Sequence, residues 1–116
     1  MREIEREQWP QFLDRFSRTH KDWLVTVSID NGMPEQPLDN AIRNQPLKDL
    51  FLDQAEDQTK LVVMIGDGEI PFDIMNPNTI VLEQTAQESE KRLRVEAGLG
   101  YATVVLFRMP GTPVER

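Results

Sequence analysis

The chain has no cysteine and a single histidine, His20. Without thiols there is no disulfide, no thiolate nucleophile and no Cys-ligated zinc, and such a composition fits a reducing compartment. Long apolar runs are missing too. The longest, Leu61 to Ile65, falls far short of the ~20 residues of a membrane helix. The opening Met-Arg-Glu-Ile-Glu-Arg-Glu lacks the apolar segment of a secretory signal. A cytoplasmic protein with no membrane partner is expected. Basic residues are also scarce, 13 against 20 acidic ones for a net charge of −7. An acidic body repels phosphate backbones, so nucleic acid is not the expected partner.

What is present suits one globular domain over residues 1–116, since domains typically run ~100–150 residues. Trp9, Phe12, Leu13 and Phe16 recur at i, i+3, i+4 and i+7, which predicts an amphipathic helix over about 6–20. Pro10 lacks an N–H and must lie in the first turn. Residues 22–29 alternate as a strand, with Trp23, Val25, Val27 and Ile29 on one face. Asp30-Asn31-Gly32 reads as a turn, and Pro34 and Pro37 as a slow return or an edge. A strand over 38–43 is expected. Leu47, Leu50 and Phe51 suit either a helical turn after Pro46 or a short strand, and Asp53 to Gln58 a polar loop. Strands follow at 59–65, 69–74, 79–84, 91–97 and 101–108. They are separated by turns at Gly66-Asp67-Gly68, Asn76-Pro77-Asn78 and Gly98-Leu99-Gly100, with a solvated loop flanked by Glu88 and Glu90. Residues 109–116 read as a loose tail. No segment is long enough for a parallel crossover. The expected fold is α+β: one N-terminal amphipathic helix packed on a curved antiparallel sheet of five to seven strands over about 22–108, bending toward a small barrel.

Trp9, Phe12-Leu13, Phe16-Ser17-Arg18, His20 and Trp23-Leu24-Val25-Thr26-Val27 resemble the opening of a family of small bacterial proteins known as a domain of unknown function, family 5335. Asn76-Pro77, Ile80-Val81-Leu82-Glu83, Leu93-Arg94-Val95-Glu96 and Leu106-Phe107-Arg108 fit the same pattern. The resemblance spans most of the chain, strongest over 9–27 and weakest over 30–58. It implies a bacterial, cytoplasmic origin and brings no activity, cofactor or catalytic residue with it.

The residues themselves offer little chemistry. Asp67-Gly68-Glu69 is too short for a calcium loop and reads as a hairpin tip. Gly66/Gly68 and Gly98/Gly100 lack the third glycine and following helix of a dinucleotide fingerprint. Asp53, Glu56 and Asp57 look like a solvated acidic loop. His20, beside Lys21 and Asp22, could be a general base but suits a helix cap or surface position. Trp9, Phe12, Phe16 and Trp23 belong at a helix–sheet interface. No catalytic, metal or cofactor residue is assigned. Arg15, Arg18, His20 and Lys21 are the candidate interaction surface, and Arg92 and Arg94 share a polar strand face. The expected function is a non-enzymatic, self-associating or protein-binding module. One alternative is a small ligand-binding protein or enzyme using carboxylates and His20. The other is nucleic-acid binding through the basic helix face, as in Sm-like folds, an analogy from architecture alone.

Overall fold

A three-residue strand, β1 (Arg2–Ile4), precedes the helix. The structure, a computed structural model, describes residues 2–30, 39–55, 57–84, 90–97 and 102–110. After β1 come a 3-10 turn (Arg6–Gln8), helix α1 (Trp9–Thr19) and strands β2 (Leu24–Asp30), β3 (Asp39–Ala55), β4 (Gln58–Ile65), β5 (Ile70–Met75), β6 (Thr79–Gln84), β7 (Glu90–Glu96) and β8 (Ala102–Arg108). The turns expected at 31–32 and 98–100, Pro34, Pro37, Glu56, Glu88 and the tail 111–116 lie outside the described residues.

The expected α+β class is corrected. Among the described residues, eight antiparallel strands and one eleven-residue helix make the fold mostly β, not a helix on five to seven strands. Two things produced the difference. β1 carries one buried residue, Ile4, in a run of charges, too short to show alternation. β3 is one strand of 17 residues, where separate segments and a polar loop at 53–58 were expected. Its register shifts between Leu47 and Asp49. The bulge turns Leu47 and Leu50, three apart, to the same side, and both are buried. That spacing imitates a helical turn.

The strand order is β1-β6-β7-β8-β2-β3-β4-β5. β3 joins its two parts: residues 39–46 pair with β2 and residues 47–55 with β4. The bend lies at Asn44, whose φ of 52° is one that asparagine tolerates better than most residues. Beyond the bend, Leu47 exchanges hydrogen bonds with Trp23 and Asp22 at 2.8 Å each. The three residues Asn76–Asn78 link β5, at one end of the order, to β6, near the other. The Asn76 N–H donates to the Thr59 carbonyl of β4, and the Asn78 N–H to the Glu96 carbonyl of β7. Four Cα steps span at most ~14 Å, so the sheet must curl nearly round on itself.

Inside the curl lies one core. Val25, Val27, Val105, Phe107, Leu93 and Val95 come from one part of the sheet and Leu47, Leu50, Leu61 and Val63 from the other. Trp9, Leu13 and Phe16 of α1 close it. Each such side chain, fully buried, contributes roughly 1.5–3 kcal/mol. Ser17 Oγ donates to Asp49 Oδ1 (3.1 Å) and fastens the helix to β3.

Candidate functional site

The buried stripe of α1 is Trp9, Leu13, Phe16 and Ser17, and it continues into the helix cap at His20. Phe12 falls at its margin and is only partly buried. Along this margin Gln8, Gln11, Phe12, Arg15, Phe16 and Thr19, spaced by threes and fours, form one wall of a cleft of about 360 Å³. Arg2 of β1 and His20 complete it. Such a volume suits a small molecule.

β1 brings Arg2 to the cleft because Ile4 is anchored. The Trp9 indole N–H donates to the Ile4 carbonyl at 2.8 Å in a buried position. The Arg2 guanidinium lies 5.9 Å from the centre of the Phe12 ring, within cation–π reach. Neither Arg2 nor Arg15 has a carboxylate partner among the described residues, as is also true of Arg6 and Arg43, whereas Arg18 pairs with Asp14, Arg92 with Glu83 and Arg94 with Asp30 and Glu96; what sets Arg2 and Arg15 apart is that both line one cleft. Lys48 and Lys60 are likewise paired, with Asp22 and with Asp53 and Asp73. Two guanidinium groups without a carboxylate partner among the described residues thus line one cleft of a chain with seven excess negative charges.

His20 forms the inner end of the cleft. Only 3% of it is exposed. Its ring stacks on Phe16 (centroids 3.9 Å apart) and meets the edge of Trp23 (4.5 Å). Nδ1 lies 2.8 Å from the Phe16 carbonyl, which also accepts the His20 backbone N–H. A carbonyl can only accept, so the proton belongs on Nδ1 and Nε2 keeps a lone pair. Nε2 is buried with no hydrogen-bond partner among the described residues. Burial holds the His20 pKa below its ordinary value; the Phe16 hydrogen bond opposes this and Lys91 adds to it.

The four residues expected to form one interaction surface are therefore divided. Arg15 and His20 share the cleft, His20 as a buried cap and not a surface group. Arg18 is exposed and paired with Asp14, and it shares a second depression on the outer helix face with Arg15, which lines both. Lys21 is exposed beyond the helix and does not line the cleft. Sequence reasoning missed Arg2, for want of a signal in so short a strand. The burial of His20 was detectable, because the spacing 9, 13, 16, 20 continues the buried stripe. Asp67 and Glu69 are exposed at the β4–β5 hairpin. No group of His, Asp or Glu among the described residues could hold a metal ion, and no helix there is long and apolar enough to cross a membrane.

Fold and cleft together define a small, mostly β domain with one helix that closes its core and walls a basic, aromatic-lined cleft. The chain belongs to a family of unknown function (DUF5335), whose family model matches residues 1–115. No curated protein and no solved structure matches the chain.

Proposed function

We propose that this protein is a non-enzymatic binding domain of the bacterial cytoplasm, whose α1 cleft holds a small anionic ligand. The observation that carries the reading is the convergence of Arg2 and Arg15, both without an acidic partner among the described residues, at one cleft. Guanidinium groups are suited to paired hydrogen bonds with carboxylates. Phe12 and Phe16 add an apolar wall for the body of the ligand, and Gln8, Gln11 and Thr19 supply neutral polar contacts. The test is a 15N NMR titration with sodium benzoate against sodium chloride at equal ionic strength. The reading expects saturable shifts at the Arg2 and Arg15 side-chain Nε–H signals. Uniform shifts over all arginines, or none, would remove it.

Self-association is a second reading, favoured by one observation. Ile70 and Met75, at the two ends of edge strand β5, are 64% and 43% exposed. Pro71 lies between them and removes one donor from that edge, which limits strand addition. Light scattering at increasing concentration decides: a mass that stays at 13.4 kDa excludes it.

A further inference from the structure

An anion-binding cleft alone does not account for His20. Its Nε2 is an acceptor, buried and without a partner among the described residues, while the stacked Phe16 and the edge of Trp23 fix the ring. Buried acceptors are nearly always hydrogen-bonded, and an exception calls for an explanation. Lys91 is the charge that acts on the ring, and it is positive, as are Arg2 and Arg15 in the lining of the cleft; a positive neighbour favours the neutral imidazole. A lone pair there repels a bare carboxylate and attracts an O–H.

Resting on the reading of the cleft as an anion site, we infer that its ligand is a small carboxylic acid that also carries a hydroxyl group. The carboxylate meets Arg2 and Arg15, the apolar body lies against Phe12 and Phe16, and the hydroxyl donates to His20 Nε2. Nε2 is closed to solvent in the free protein, so the side chains over it must shift for the hydroxyl to reach it.

The test is calorimetric titration with benzoate, the three hydroxybenzoate isomers and phenol. At least one hydroxybenzoate is expected to bind about tenfold more tightly than benzoate, the gain of one added hydrogen bond, and phenol is expected to bind weakly. In His20→Phe the ratio of the two affinities is expected to fall to about one, whatever the variant's affinity for benzoate itself. In the wild-type protein the His20 Nε2 resonance moves with the preferred isomer and not with benzoate. Equal affinities for benzoate and all three isomers, or a preference that survives His20→Phe, overturns the inference and leaves the anion reading standing. If no carboxylate binds, the anion reading fails and this inference with it. Should His20→Phe not fold, the wild-type Nε2 resonance decides, and an unchanged resonance with every isomer overturns the inference.

Discussion

Replacing Trp9 by Phe separates the anchor of β1 from the packing of α1. Trp9 is 2% exposed, and its indole N–H reaches the Ile4 carbonyl at 2.8 Å. Phenylalanine keeps an aromatic ring in the core but cannot donate. Removing one partner of a buried hydrogen bond costs about 1–3 kcal/mol, and the smaller ring adds roughly 1 kcal/mol for the space it leaves. A loss of about 2–4 kcal/mol is expected, or a fall in Tm of about 8–15 °C for a domain of this size. The loss should be concentrated at the N-terminus. Among the described residues β1 pairs only with β6, through Arg2↔Leu82, Glu3↔Val81 and Ile4↔Ile80. Hydrogen exchange at the Ile4 amide should therefore rise more than at Val25 or Val105. Because β1 positions Arg2, benzoate affinity should fall as well, although Trp9 does not line the cleft. Thermal melts, exchange and calorimetry on the one variant give all three numbers. A Tm within about 2 °C of wild type with unchanged Ile4 exchange would refute the reasoning.

Further outcomes follow from the same geometry. His20 has a folded-state pKa held below its ordinary value, so below pH ~6.5 the unfolded chain takes up a proton that the folded one resists. Stability should fall as pH drops through that range, by at most ~1.4 kcal/mol per pH unit from this group; urea melts from pH 7.5 to 5 should show a shallower decline in His20→Phe. Asn44 at φ 52° predicts that Asn44→Ala loses about 1 kcal/mol and that Asn44→Gly loses less, as denaturant midpoints will show. Leu50→Ala opens space in the core beneath the β3 bulge and should cost about 2–5 kcal/mol, measured by the same melts.

Much of the fold could be read from the residues where alternation or helical spacing was intact. Val25 and Val27 are fully buried, as their alternation required, and so are Leu93 and Val95. Trp9, Leu13 and Phe16 mark the core face of α1. The sequence misled where geometry broke the period. In β3 the bulge at Lys48 put Leu47 and Leu50 on one face, and Pro46 suggested an interruption where the strand only bends. β1 was invisible because it depends on a partner, β6, some 75 residues later in the chain. The cleft was half legible. Arg15 and His20 stood out as residues, but only the fold brings Arg2 beside them, and only the structure distinguishes the paired Arg18 from the unpaired Arg15. His20 is the C-cap of the helix, as one of its two readings had it; the surface alternative overlooked that position 20 continues the spacing of positions 9, 13 and 16.

The most direct test of the anion-binding cleft is the affinity of benzoate for Arg15→Gln beside the wild type. Arg15 is exposed and unpaired among the described residues, so the substitution should leave Tm within about 2 °C, as surface changes usually do. The account predicts at least a tenfold weaker Kd in calorimetry, since a hydrogen bond to a charged group is worth about 1.5–3 kcal/mol. An unchanged Kd, with the variant as stable as the wild type, would contradict it.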